Sequence, residues 1–254
     1  MNPVTLRSVS IGTGIPKICL PIVGTSETEI LQQASAFAAY PHDIVEWRVD
    51  WFDAVSDLEQ VRHCAQKLRR LLGETPLLFT FRTTEEGGEH SISDANYIQL
   101  NSFVAQHQLA DALDVELFRG DDVVRTIVSQ AHESNTAVVI SNHNFTQTPP
   151  EDEIVSRLQR AEQIGGDILK IAVMPQSARD VITLLAATEQ AHHLCRQPLI
   201  TMSMGQLGMV SRTCGETFGS AVTFGAAGMA SAPGQMPAAA LQQVLHALHG
   251  TVPE

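Results

Sequence analysis

The stretch Thr148-Pro-Pro-Glu-Asp-Glu-Ile-Val-Ser-Arg-Leu-Gln-Arg-Ala-Glu-Gln-Ile-Gly-Gly-Asp-Ile-Leu-Lys-Ile-Ala-Val173 carries one complete structural unit. Thr148, Pro149 and Glu151 open a helix, with Pro149 in the first turn, where its missing N–H costs nothing. Ile154, Leu158, Ala161 and Ile164 recur at the spacing of one helical face, and Gly165-Gly166 ends the run. Ile168–Val173 follows as an apolar segment of strand length. Its nearly continuous apolar character fits a strand buried on both faces, as parallel sheets require.

The same cycle extends in both directions. Apolar runs of strand length stand at Lys17–Val23, Ile44–Val49, Leu77–Phe81, Ala112–Val115, Ala137–Ile140, Ile168–Val173, Leu199–Met202 and Val222–Phe224. Helical segments lie between them. Ser26 with Glu29, Ser56 with Glu59 and Ser177 with Asp180 have capping-box spacing, and Pro237 precedes the stripe Leu241, Val244, Leu245 and Leu248. Leu58, Val61, Ala65, Leu68 and Leu72 form another stripe, closed by Gly73. Eight strands alternating with helices in a chain of 254 residues predict an α/β fold, a (β/α)8 TIM barrel, as a single domain over residues 1–254. Residues before Lys17 are expected to form a short hairpin closing the barrel bottom. A doubly wound open sheet would show the same alternation. However, the Gly-rich turn of its dinucleotide-binding form is missing after the first strand, where Pro21-Ile-Val-Gly-Thr25 stands.

Composition narrows the function. Charged residues make up 17% of the chain, against roughly 25% in an average domain, so much of the chain must be buried. The formal net charge of −12 opposes binding to phosphate backbones or anionic lipid, so neither nucleic acid nor membrane is an expected partner. Four cysteines without CxxC spacing, no signal-peptide pattern and no membrane-length apolar run lead to the expectation of a cytoplasmic protein. His192-His-Leu-Cys195 falls in a helix and has no matching second ligand group at zinc spacing, and phosphate-loop and dinucleotide motifs are absent, so neither a metal nor a cofactor is expected.

Polar residues gather where the strands of a parallel barrel would end. Glu46 and Arg48 lie two apart and share a face; Arg82 and Glu86 follow the third strand, Glu116 the fourth and His143 the fifth. Arg212 follows the seventh, and Ser231 and Gln235 the eighth. Lys170, one of only three lysines, interrupts the sixth strand. Burial disfavours an ammonium ion, so such a lysine is either paired with a carboxylate or poised as a neutral amine able to attack a carbonyl. His143, one strand away, is placed for proton transfer beside it, and Glu86 could accept its second N–H.

Glu46-Trp-Arg-Val-Asp50, Leu78-Phe-Thr-Phe-Arg82, Glu86-Gly-Gly88, Ser141-Asn-His143, Lys170-Ile-Ala-Val-Met-Pro-Gln176, Thr201-Met-Ser-Met204, Ser211-Arg212 and Ser231-Ala-Pro-Gly-Gln235 occur in this order. Together they resemble the type I 3-dehydroquinate dehydratases, Schiff-base lyases of the shikimate pathway, over essentially the whole chain. The resemblance implies that Lys170 forms an imine with the C3 ketone of 3-dehydroquinate. His143 would then move the proton from C2 and deliver one to the departing C1 hydroxyl, with Glu86 orienting it. Arg212 would clamp the substrate carboxylate; Glu46, Trp47, Arg48 and Arg82 would line the binding site; and Ser231 and Gln235 would belong to a covering loop. The resemblance further implies a homodimer that needs no cofactor or metal. The chain departs from many members at Pro21, where they carry serine, at Gly205-Gln206 and at Gly228-Met229. A class I aldolase on the same lysine logic, or a barrel that only binds an anionic metabolite, would share some of these features.

Overall fold

A computed structural model describes residues 2–228 and 234–250. Its strands are β1 (Val4–Leu6), β2 (Val9–Ile11), β3 (Lys17–Ile22), β4 (Ile44–Arg48), β5 (Leu77–Thr80), β6 (Ala112–Glu116), β7 (Ala137–Asn144), β8 (Ile168–Val173), β9 (Leu199–Ser203), β10 (Val222–Ala226) and β11 (Met236–Pro237). The helices are α1 (Glu27–Ala36), α2 (Leu58–Leu72), α3 (Asp94–Gln106), α4 (Asp121–Glu133), α5 (Glu151–Ile164), α6 (Ala178–Leu194), α7 (Gly215–Phe218) and α8 (Ala238–His249).

Strands β3 to β9 pair in parallel in sequence order, and β10 pairs in parallel with β3. The remaining seam is joined by a bridge between Leu199 and Ser220, where the Ala221 N–H donates to the Leu199 carbonyl at 2.7 Å. Each of the eight barrel strands is followed by a helix, so the alternation in the sequence is the barrel itself.

Alternation along each strand sorts side chains to two sides of the sheet. Leu20, Ile22, Val45, Trp47, Phe79, Leu113, Leu169 and Ile171 face outward and share one core with the helix residues Val61, Leu68, Val104, Ile127, Leu158 and Leu184. Inside, the lower layer is apolar: Cys19, Ile44, Leu78, Ala112, Val139, Ile168, Ile200 and Val222. The β1–β2 hairpin, antiparallel from Val4–Ile11 to Leu6–Val9, adds Leu6 and Ile11 to this layer and closes that end. Two residues further along the strands the interior becomes polar, with Glu46, Thr80, Asp114, Ser141 and Lys170. This change from apolar to polar is what creates a site at the C-terminal ends.

Local signals are realised with small shifts. Ser26 and Ser177 form complete capping boxes with Glu29 and Asp180. The cap of α2 is Asp57, not Ser56: its carboxylate accepts from the N–H groups of Glu59 and Gln60 and reaches them from one residue closer. Pro149 lies outside α5, which begins at Glu151 after Pro150; the Thr148 hydroxyl donates instead to the Met174 carbonyl at 3.1 Å. Strand β7 runs on to Asn144, so His143 is a strand residue paired with Ala172, not a loop residue.

Candidate active site

The register of neighbouring strands brings the candidates together. Ser141 pairs with Lys170 and His143 with Ala172 across β7 and β8, so Lys170 and His143 sit on adjacent strands one inward step apart. A cavity of about 210 Å³ opens at this end, lined by Glu46, Arg48, Arg82, Glu86, His143, Lys170, Arg212 and Gln235. Trp51, Phe145, Met202, Met204 and Phe224 supply its apolar walls.

Lys170 is 5% exposed. Its Nζ donates to Asp114 Oδ2 at 2.9 Å, lies 3.6 Å from Glu46 Oε1 and sits 4.7 Å from the centre of the Phe224 ring. Burial works against the Asp114 carboxylate, but Arg82 and Lys170 outweigh it and hold its pKa well below the usual range. Arg82 donates to Asp114 Oδ1 at 2.6 Å, to Glu116 Oε1 at 3.0 Å and to the Ser141 hydroxyl at 3.0 Å, and lies 3.6 Å from Glu86. It is therefore a buried cation shared among three carboxylates, and its inner nitrogens are already engaged. Glu46 accepts from the Thr80 hydroxyl at 2.9 Å. Arg48 does not pair with Glu46; it forms a two-pronged contact with Asp50 at 2.8 and 2.7 Å. Asp50 also accepts from the Arg82 and Glu89 N–H groups, tying β4 to the loop after β5.

His143 Nδ1 lies 2.8 Å from Glu86 Oε2, which also accepts from the His143 backbone N–H at 2.9 Å. Burial lowers the His143 pKa well below its ordinary value, and Arg82 and Lys170 push in the same direction. Its imidazole is therefore neutral at pH 7. With Glu86 accepting at Nδ1, Nε2 carries the free lone pair of a base. Burial raises the Glu86 pKa to about 7, although Arg82 opposes it. The Glu86-Gly-Gly88 turn has a steric reason. Gly87 has φ +82°, and a Cβ there would meet the Phe145 ring at 2.5 Å; a Cβ on Gly88 would come within 1.8 Å of the Arg82 carbonyl oxygen.

Arg212, in the loop after β9, is buried, with Nη1 3.6 Å from Met202 Sδ, and burial lowers its pKa to about 10. Trp47 does not reach the cavity. Between inward-facing Glu46 and Arg48 it must point outward, where it is fully buried against Phe52 and Phe79. Trp51 is the tryptophan at the cavity. Pro21, on β3 opposite Glu46, is not among the lining residues. Ser231 lies outside the described residues. The sequence reading passed over Asp114. Its position two residues before Glu116, with Glu116 at a strand end, was the available sign that it also faces inward.

Residues 18–252 match the type I 3-dehydroquinase family. The chain belongs to that family. Its members are carbon–oxygen lyases of the hydro-lyase class, and so is this enzyme. It is 49% identical over 249 residues to a 3-dehydroquinate dehydratase of Listeria monocytogenes, covering 98% of this chain and 99% of the relative. Among solved structures, it resembles the type I 3-dehydroquinate dehydratase of Clostridium difficile, crystallised with covalently modified comenic acid, at 46% identity and TM-score 0.96 over 98% of each chain. The 3-dehydroquinate dehydratase of Geobacillus kaustophilus is 38% identical, with TM-score 0.96 over 98% of this chain and 97% of that one.

Proposed function

We propose that the chain converts 3-dehydroquinate to 3-dehydroshikimate and water through an imine on Lys170, with His143 as the proton-transfer group. The observation that carries this reading is the pairing of a buried lysine with a neutral, carboxylate-oriented histidine on the next strand, both facing one cavity. The Lys170 amine adds to the C3 ketone and water leaves, giving an iminium that can accept electrons. His143 takes the C2 proton, and the C–H electrons move into the iminium as an enamine. As the enamine collapses, the C1–O bond breaks and His143 returns its proton to the departing hydroxyl, which leaves as water. Hydrolysis of the remaining imine frees the product and Lys170.

Glu86 keeps Nδ1 occupied, so the basic nitrogen of His143 faces the substrate. Arg212 offers a planar fork for the substrate carboxylate, a geometry that a lysine cannot reproduce. Glu46, Arg48 and Arg82 hold the ring hydroxyls and balance the charge, and Gln235 meets the ligand from the cavity wall. The covalent modification in the Clostridium difficile relative supports covalent chemistry in the family. The proposal extends to one domain working as a cytoplasmic homodimer; among the described residues, no helix is long and apolar enough to cross a membrane.

The test is to mix the protein with 3-dehydroquinate and borohydride, which reduces an imine to a stable amine, and to map the adduct by peptide mass spectrometry. A ligand-sized mass on the Lys170 peptide, absent from Lys170→Ala, is expected. Folded protein that turns over substrate without any such adduct would sink the imine route.

A further inference from the structure

His143 depends on Glu86, and Glu86 in turn is held from outside the cavity. Asn142 Nδ2 donates to Glu86 Oε1 at 3.0 Å, leaving Oε2 for the two His143 N–H groups. On its other side, Asn142 Oδ1 accepts from Arg157 Nη1 at 2.7 Å. Arg157 belongs to α5, does not line the cavity, pairs with Glu153 and lies over the Phe118 ring at 5.2 Å. The amide is thus held between a guanidinium that can only donate and a carboxylate that, when ionised, can only accept. Only one orientation satisfies both. Without Arg157 the amide is free to turn its oxygen toward Glu86, replacing a donor with a second acceptor beside a buried carboxylate.

We propose that Arg157 is a positioning residue for this reaction, acting through Asn142 to fix the carboxylate that orients His143. The inference rests on the roles given above to Glu86 and His143. It assigns α5, whose side facing the strands is otherwise packing surface, a polar link to the chemistry. Arg82, 3.6 Å away, and Glu116 and Asp114 beyond it also act on Glu86, so the link through Asn142 adds to their field and does not replace it.

The experiment compares Arg157→Met, Arg157→Lys, Asn142→Ala and the Arg157→Met/Asn142→Ala double variant, with kcat, KM and the pH profile of kcat measured on the full chain. Arg157→Met is expected to lower kcat by about tenfold with KM nearly unchanged, because small displacements of a catalytic base are costly. The acid limb of kcat should move to higher pH, and Arg157→Lys, which can still donate to Asn142, should recover part of the loss. The double variant should be no worse than Asn142→Ala. Parental kcat and acid limb in either single variant, or losses that simply add, would overturn the inference, and Asn142→Ala provides this test even if Arg157→Met fails to fold. Glu86→Ala separates the two readings. If it is impaired while Arg157→Met is not, only this inference fails; if it keeps parental activity, the role of Glu86 fails as well.

Discussion

Lys170 and Asp114 meet at 2.9 Å inside the barrel, 56 residues apart in sequence and on strands separated by β7. Asp114 is fully buried and also receives Arg82 at 2.6 Å, so one carboxylate holds both side chains. Removing one side of a buried pair costs about 3–5 kcal/mol when the remaining charge is left alone, an upper bound here because Glu116 and Glu86 remain beside Arg82 and Glu46 beside Lys170. Asp114→Asn is therefore expected to lower stability by up to that amount, measurable by urea denaturation at pH 7, and to reduce kcat by loosening Lys170. A variant as stable as the parent would contradict the charge balance described for the site.

The pH dependence follows from Glu86 and His143. Glu86, raised to about 7, gains a proton as the pH falls through that value and then no longer accepts from His143 Nδ1 as a carboxylate. His143 is itself held neutral well below its ordinary value. The acid limb of kcat should consequently lie near pH 7 and belong to the pair, not to a simple histidine. A limb well below pH 6 would count against this assignment.

Stability responds to the same two groups with opposite signs. The folded pKa of Glu86 is raised, so its favourable contribution is present below its unfolded value near 4.5 and lost as the pH rises through about 7. The folded pKa of His143 is lowered, so its contribution is present above 6.5 and lost as the pH falls below that value. Relative to the parent, Glu86→Gln should accordingly gain more in Tm at pH 8 than at pH 5. Calorimetry at the two pH values checks this, and an equal change at both would refute it.

Arg212 provides a test of substrate capture. Losing a charge-assisted contact of the fork type is worth about 1.5–3 kcal/mol, or roughly tenfold to a hundredfold in affinity. Arg212→Lys should raise KM by that order while adduct formation on Lys170 persists at saturating substrate. An unchanged KM would place the carboxylate elsewhere.

The two tryptophans should separate cleanly. Trp47→Ala opens a void in the packed layer outside the sheet and should cost about 3–5 kcal/mol of stability. Trp51→Phe should alter KM with little change in stability, since Trp51 stands at the cavity. Steady-state kinetics and thermal melts on both variants settle which tryptophan meets the ligand.

The barrel could be read from the sequence because its evidence is local: each strand and helix has its own period and punctuation, as in Ile154 to Val173. Lys170, His143, Glu86 and Arg212 stood out because charged groups at strand ends are conspicuous against apolar runs. Asp114 did not, since what marks it is a contact 56 residues away and two strands round the barrel. Trp47 was assigned to the site with its motif, although the alternation that turns Glu46 and Arg48 inward turns it outward. Asn142 stands in the motif Ser141-Asn-His143, but nothing local links it to Arg157; only the packing of α5 against β7 brings them together. Ser56 and Pro149 show the usual limit of one or two residues in locating helix starts.

The layering inside the barrel also fixes how such an enzyme can be altered. Side chains change face at every residue, so a strand lengthened by one residue would turn Lys170 or Asp114 toward the helices and bring an aliphatic side chain inward. A deeper or shallower chamber is reached only by adding or removing residues in pairs, in steps of about 6.6 Å along the strand. Strand length is thereby counted in twos, and a search for new substrates in this scaffold is confined to side-chain exchange and to the loops, where single insertions are harmless to the register.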